Sequence, residues 1–231
     1  MWLLNSSIGR KLIMSISGIF LILFLLFHMT MNVVALFSEE AYNAVCGMLG
    51  SHWYAVAGTV VLAAGFLVHI AMGTWLTVLN KKARGAQPYA AQKAPKGVEF
   101  ASQNMYLLGV IIVAGLVIMH GAQFWYHMMF AELVGNEPML NGVAVSATDG
   151  AAFINYYFSQ PVIVVLYLIW LAALWLHLCH GIWSAFQTIG LNNLVWMQRW
   201  KCVSTIIASL LCFGFAIVVI AFYVKSLCPA A

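Results

Sequence analysis

The chain has 231 residues, of which 64% are hydrophobic and 7% charged, and its mean hydropathy is +0.95. Those values exclude a soluble globular domain. The formal net charge of +4 is split over short connections with no basic stripe, which excludes a nucleic-acid surface.

A bilayer core takes roughly 20 apolar residues per helix, and runs of that size fall near 12–37, 53–79, 103–129, 161–189 and 203–226. The pattern predicts an all-α integral membrane protein, a single transmembrane domain over 1–231 built as a five-helix bundle. The first run follows Arg10 and Lys11 as a signal peptide would. It is too long for one and lacks a small-residue cleavage site, so it reads as a retained span. Pro161 suits the start of the fourth helix, and Gly190 with Asn192 and Asn193 suits its stop. No internal repeat is present.

Basic residues mark cytoplasmic segments of membrane proteins. Arg10, Lys11, Lys81, Lys82, Arg84, Lys93, Lys96, Arg199 and Lys201 all fall in alternate segments, and the remaining segments carry Glu39, Glu40, Glu132, Glu137 and Asp149 instead. The expected topology is multi-pass in a bacterial inner (cytoplasmic) membrane, N-terminus cytoplasmic and C-terminus periplasmic. Only Lys225 departs from the rule. The basic connection from Lys81 to Ser102, with Pro88, Pro95 and Gly97, is polar enough to meet a soluble partner. The acidic connection from Glu132 to Gln160 is long enough to fold over the bundle as a lid. Five cysteines (Cys46, Cys179, Cys202, Cys212, Cys228) form neither CxxC nor CxxCH, so they read as small apolar filler rather than a zinc or c-type haem site.

Seven histidines occur, and His28, His69, His120, His177 and His180 lie well inside the spans. A polar ring in hydrocarbon is expensive, so each is a candidate functional residue; the bland alternative for any one is a helix-to-helix hydrogen bond. Four helices each carrying one favour a site. With ~1.5 Å of rise per residue, His28 and His120 lie roughly 25 Å from the inner face, and His69 and His177 roughly 18 Å. Two pairs at two levels suit two bis-histidine haems, because haem iron takes an axial ligand on each side. In His69-Ile-Ala-Met-Gly73 and His177-Leu-Cys-His-Gly181 a glycine follows one turn later on the same face. The missing side chain at Gly73 and Gly181 lets a flat macrocycle approach.

Two alternatives stand beside this pairing. His180 is a rival to His177, or a contact for a haem propionate; His127, at the outer end of its helix, is a substitute for His120. His52 and His127 otherwise read as interfacial. No Asp or Glu lies within a span, so no buried carboxylate relay is apparent. Glu39 and Glu40 follow the first span on the outer side, where a quinol would release protons.

The stretch from Arg10 to Asn32, with Lys11, Ser17-Gly18 and His28, resembles the first helix of the cytochrome b membrane anchors of succinate dehydrogenases and fumarate reductases. The segment His177-Leu-Cys-His-Gly181-Ile-Trp183-Ser184-Ala-Phe-Gln-Thr-Ile-Gly190 resembles that family's most characteristic motif still more closely. The resemblance spans essentially the whole chain and is to the single-anchor, two-haem branch. It implies that the ligand precedes the glycine by four positions, which selects His177 over His180. It also implies a distal haem b held by His28 and His120 and a proximal haem b held by His69 and His177. The third-helix motif around His120 is loose, and no glutamate accompanies the fourth-helix ligand as in some relatives.

On that resemblance the chain is expected to anchor a flavoprotein subunit and an iron-sulfur subunit, and to pass electrons between the latter and a quinone, with menaquinone favoured. FAD, the iron-sulfur clusters and the dicarboxylate chemistry would belong to the partners, leaving this chain no catalytic residue of its own. Ser17, Trp183, Arg10 and Lys11 are candidates to meet propionates or a partner. A transporter or metal permease, using intramembrane His and Met without haem, is the alternative from another class. A haem-bearing anchor of a hydrogenase or formate dehydrogenase would share the chemistry but not the Ser184 to Gly190 segment.

Overall fold

A computed structural model describes residues 2–84 and 100–228. After one helical turn at Trp2–Asn5, helix α1 (Ser7–Val33) opens on Ser6, whose hydroxyl accepts from Gly9 N–H, a side-chain cap satisfying one orphan donor of the first turn. A short helix α2 (Glu39–Met48), capped by Ser38, leads into α3 (Trp53–Arg84). Helix α4 (Phe100–Ala114) continues as a π-helix over Gly115–Phe130 and a last turn at Ala131–Val134. The strands β1 (Met139–Leu140) and β2 (Val143–Ala144) pair antiparallel. Helices α5 (Gly150–Phe158), α6 (Pro161–Thr188) and α7 (Trp196–Leu227) complete the chain.

Five helical stretches are long and apolar enough to cross a membrane: Ser7–Leu36, Trp53–Ala83, Phe100–Val134, Pro161–Thr188 and Trp196–Leu227. They coincide with the five runs expected from hydropathy and extend past most of their ends. The helices continue where apolar side chains stop, carrying Lys81 and Lys82 on the last turn of α3 and Arg199 and Lys201 on the first two turns of α7. Pro161 stands at the first turn of α6, where its missing N–H removes no helical bond. Gly190 follows the helix with φ +87°, a left-handed turn that a side chain would strain. The expected docking role of Pro88, Pro95 and Gly97, with Lys93 and Lys96, lies outside the described residues.

Helices α6 and α7 form the tightest seam: Leu171, Leu174, Leu178 and Ile182 meet Ala208, Leu211 and Cys212. Ala208 and Ser204 are fully buried, so small side chains let the two backbones approach, as in membrane helix pairs generally. Helix α1 packs on α3, α6 and α7, α4 packs on α6, and α3 takes its main support from α1. Outward-facing Leu23, Val60, Leu67, Ile118, Ile169 and Leu210 are all exposed. A belt of such side chains suits lipid contact.

One end of the bundle, called here the basal end, holds the start of α1, the end of α3 and the turn between α6 and α7. The opposite end is covered by α2 and α5. Ala35, Tyr42, Ala151, Ile154, Phe158, Val164, Tyr167 and Phe222 form one apolar cluster there. Phe153 and Ile154 are among the most deeply buried large side chains, at 0% and 2% exposure. They come from α5, a connection rather than a span, so the long acidic connection is packed into the bundle as a cap. Its helix starts on Asp149, whose carboxylate accepts from Ala152 N–H. Asn43 of α2 donates to the same carboxylate at 2.7 Å and accepts from Ala151 N–H at 2.9 Å.

Candidate functional site

Each of the first four spans brings one histidine to the bundle interior, and the fold sorts them into two pairs. His28 of α1 meets His120 of the π-helical stretch with ring centroids 5.6 Å apart and an interplanar angle of 82°. His69 of α3 meets His177 of α6 with centroids 6.3 Å apart and an angle of 69°. Each pair therefore joins two different helices, His28 with His120 and His69 with His177.

The two pairs sit at different heights. His69 stands level with Ser17 and Gly18 of α1, since its Nδ1 is 3.1 Å from Ser17 Oγ and a Cβ on Gly18 would come 3.2 Å from its Cε1. His28 lies ten residues beyond Gly18 on the same helix, or about 15 Å farther along the axis. Helix α4 gives the same order, because Gly109 faces His177 and His120 lies eleven residues later. The separation is about twice that estimated by counting from the basic residues. The difference arises because α3 and α6 run farther past the apolar core at the basal end than that count assumes, which places His69 and His177 closer to it.

Around the basal pair, Ser17 is buried and hydrogen-bonds His69, so the structure places it on a candidate ligand. His180 does not face His69; its ring meets Trp183 edge-on at 4.8 Å. Trp183 lies under Lys201, whose Nζ is 5.0 Å from the ring, and Arg10 lies 5.6 Å over Trp75. The Arg10 Nε, Trp183 Nε1 and His177 Nδ1 atoms are buried with no hydrogen-bond partner. Arg10 precedes Ser17 by seven residues and Trp183 follows His177 by six, so both stand about 10 Å toward the basal end. A Cβ on Gly181 would meet nothing within 4 Å, whereas Gly73 faces the Met14 methyl at 3.5 Å. The space expected of both glycines is thus open at one and filled by Met14 at the other.

Around the capped-end pair, aromatic rings dominate. His28 stacks on Phe24 at 5.4 Å, and His120 stacks on Trp170 at 5.9 Å. Asn32 donates to the His28 carbonyl at 2.8 Å, with its amide nitrogen 3.5 Å from His28 Nε2. Tyr42 of α2 donates to Asn32 Oδ1 at 3.2 Å. His127 turns away, its Nδ1 lying 2.8 Å from the Ala122 carbonyl of its own helix. His52 stacks on Tyr54 outside either pair.

The π-helical winding under His120 was not expected from the sequence. Trp170 donates its indole N–H to the Ile112 carbonyl at 3.0 Å, and its ring occupies the place that a Cβ on Gly115 would take. A side chain inserted into the backbone ladder is an ordinary cause of altered winding. Stretches of this kind recur at functional sites.

The capped-end carboxylates are held in place. Glu39 pairs with Lys225 of α7 and accepts from Asn155 of α5 at 3.1 Å. The Lys225 ammonium lowers the Glu39 pKa against the opposing effect of partial burial. Lys225, which breaks the charge rule, therefore has an acidic partner at its own end. Glu40 is exposed beside it. Glu132 accepts from the backbone N–H of Ser51 at 3.0 Å and from its hydroxyl at 2.9 Å, tying α4 to the start of α3. Burial pushes the Cys46 thiol up to about 11, so it stays protonated at neutral pH.

These residues fit a haem on two counts. Two imidazoles bound axially to one metal, each nitrogen about 2.0 Å from it, hold their centroids roughly 6 Å apart, and the observed 5.6 and 6.3 Å lie on either side of that figure. The Arg10 Nε–H and Trp183 Nε1–H groups, both without a partner, are donors of the kind that carboxylate side arms of a macrocycle would satisfy, while Arg10 Nη1 donates to the Leu4 carbonyl. Sequence reasoning missed Asn32, Tyr42 and Trp170. Asn32 was nearest to being legible, one turn after His28 on the same face. The chain matches no protein-family model, no curated protein and no solved structure.

Proposed function

We propose that the chain is the dihaem cytochrome b subunit of a succinate dehydrogenase or fumarate reductase, carrying electrons between an iron-sulfur partner and a membrane quinone. The observation that carries this reading is the pair of cross-helix imidazole couples at two heights. His69 and His177 would hold the proximal haem b, His28 and His120 the distal one. A bound haem supplies one-electron chemistry, with a potential set by its axial ligands, their hydrogen bonds and burial.

Among the described residues no three His, Cys, Asp or Glu side chains converge as a bare metal ion requires. Two facing imidazoles suit a metal that arrives with four equatorial nitrogens of its own, which favours haem over the permease alternative. The protein's own contribution is to fix the imidazoles, exclude water and set the spacing. Aliphatic and aromatic side chains do the second, and Ser17 and Asn32 contribute to the first.

The charge pattern supports a cytoplasmic basal end in a bacterial inner membrane. At that end Leu194 is 98% exposed in the turn before α7, beside Arg199 and Lys201, a surface suited to the soluble flavoprotein and iron-sulfur partners. Quinone, with menaquinone favoured by the resemblance, would exchange near the capped end. Glu40 is free to take its protons there, whereas Glu39 would first have to leave Lys225. A dithionite-reduced minus oxidised spectrum with haem quantification tests the reading: it expects a b-type α band and two haems per chain. Absence of that band overturns it.

A further inference from the structure

We infer that Ser17 and Gly18 form a seat that fixes His69 with its proton on Nδ1, leaving Nε2 as the unprotonated nitrogen. The inference rests on the reading of His69 as an axial ligand, and it assigns Ser17 as a positioning residue rather than a propionate contact.

The argument begins with the single proton of the Ser17 hydroxyl. Its Oγ donates to the Met14 carbonyl one turn back at 3.0 Å. That donation uses the only hydrogen the hydroxyl has and leaves it lone pairs alone. His69 Nδ1 lies 3.1 Å from the same oxygen, and the two contacts are made at once only when that nitrogen is the donor. In a neutral imidazole the proton on one nitrogen obliges the other to carry the lone pair, so Nε2 is the basic atom. Metal-bound histidines commonly use this arrangement, with an outer hydrogen bond choosing which nitrogen coordinates.

Gly18 supplies the second half of the seat. Its missing side chain lets the imidazole edge lie against the α1 backbone, and a Cβ there would stand 3.2 Å from His69 Cε1, closer than an ordinary contact. Helix α3 finds its main packing on α1, so the Ser17–His69 bond also joins the bundle's most lipid-exposed span to the interior. Ser17 is only 8% exposed, and in so apolar a setting water is a poor replacement for its hydroxyl.

Among the described residues no hydroxyl lies on a ring nitrogen of the capped-end pair. Asn32 meets His28 mainly through the backbone carbonyl, and Trp170 meets His120 by ring stacking. The two couples are therefore built differently. A hydrogen bond to the distant nitrogen makes an imidazole more electron-donating toward a metal on the other. Loss of the Ser17 hydroxyl should thus raise the potential of the basal haem and leave that of the other unchanged.

The experiment uses the full chain with isotope-labelled histidines in lipid nanodiscs, haem-stripped and then haem-loaded, as wild type, Ser17→Ala and Ser17→Thr. In the haem-free protein, nitrogen chemical shifts should report His69 protonated at Nδ1 in wild type and Ser17→Thr, and a mixture of tautomers in Ser17→Ala. In the haem-loaded protein, Ser17→Ala should weaken haem binding at one site by on the order of 10–100-fold and move one midpoint potential only, with Ser17→Thr restoring both. Protonation at Nε2 in the wild type overturns the inference, as does an unchanged tautomer in Ser17→Ala. Failure of wild type to bind haem overturns the functional reading instead, and the haem-free shifts still decide the seat.

Discussion

His28 and His120 meet edge to face across two helices, their ring centroids 5.6 Å apart, while His127, seven residues later on the same helix, bonds back to the Ala122 carbonyl. The two candidates on that helix are thereby separated by geometry. His120→Ala and His28→Ala should each halve the haem content, and His127→Ala should leave it at two per chain. Pyridine haemochrome assay of purified variants checks this. Loss of a haem in His127→Ala, with both kept in His120→Ala, would reverse the pairing although the fold stood.

The winding around His120 depends on Trp170. A methyl group on Gly115 would lie 2.7 Å from Trp170 Cε2, too close for two ring-packed helices to absorb without movement. Gly115→Ala should therefore destabilise the protein by about 1–3 kcal/mol and disturb the site of His120 before that of His69. Thermal unfolding in detergent gives the first quantity, and the two haem potentials measured separately give the second.

Glu39 binds three elements together at the capped end: its own α2, Asn155 of α5 and Lys225 of α7. Its pKa is lowered, with the Lys225 hydrogen bond the largest cause. A carboxyl whose folded-state pKa lies below its unfolded value of about 4.3 contributes its stability above that value, and loses it as pH falls through the lowered pKa. The pair is partly exposed, so the effect is small, about 1 kcal/mol or less. Protection factors for hydrogen exchange in α2 and α5, rates corrected for the intrinsic pH dependence of exchange, should fall below about pH 4 in wild type; in Glu39→Gln they should already be lower at pH 7 and show no further fall with acid. Equal acid responses in the two proteins would remove Glu39 from the clasp.

The five spans were legible because lipid asks each helix for a long apolar run and nothing subtler. The histidine pairing was legible for a related reason: at least one imidazole on each of four helices in hydrocarbon, at matching depths, restricts the partners. The cap was not. Its buried Phe153 and Ile154 lie among Gly, Asn and Ser residues that read as a loop, although Asp149 before an apolar i, i+4 pattern was a helix-start signal. The π-helical stretch had no local signal, since it depends on Trp170 reaching across from another helix. Nor did the spacing of Gly18 announce a seat for His69, because which side chain meets that gap is decided by the crossing of α1 and α3.

Two heights imply sensitivity to the membrane potential. The His69 and His28 levels lie about 15 Å apart along α1, roughly half of a hydrocarbon core of about 30 Å. One elementary charge crossing the whole core is worth about 2.3 kcal/mol per 100 mV, so moving it between the two levels is worth about half of that. In sealed vesicles holding the haem-loaded protein in one orientation, a potassium diffusion potential of about 100 mV should change the difference between the two midpoint potentials by about 50 mV. Its sign should reverse with the sign of the diffusion potential. Spectroelectrochemical titration at several imposed potentials measures this difference directly. A difference that stays constant would put both histidine pairs at one electrical depth, and the vertical arrangement read from Gly18 and Gly109 would then be wrong.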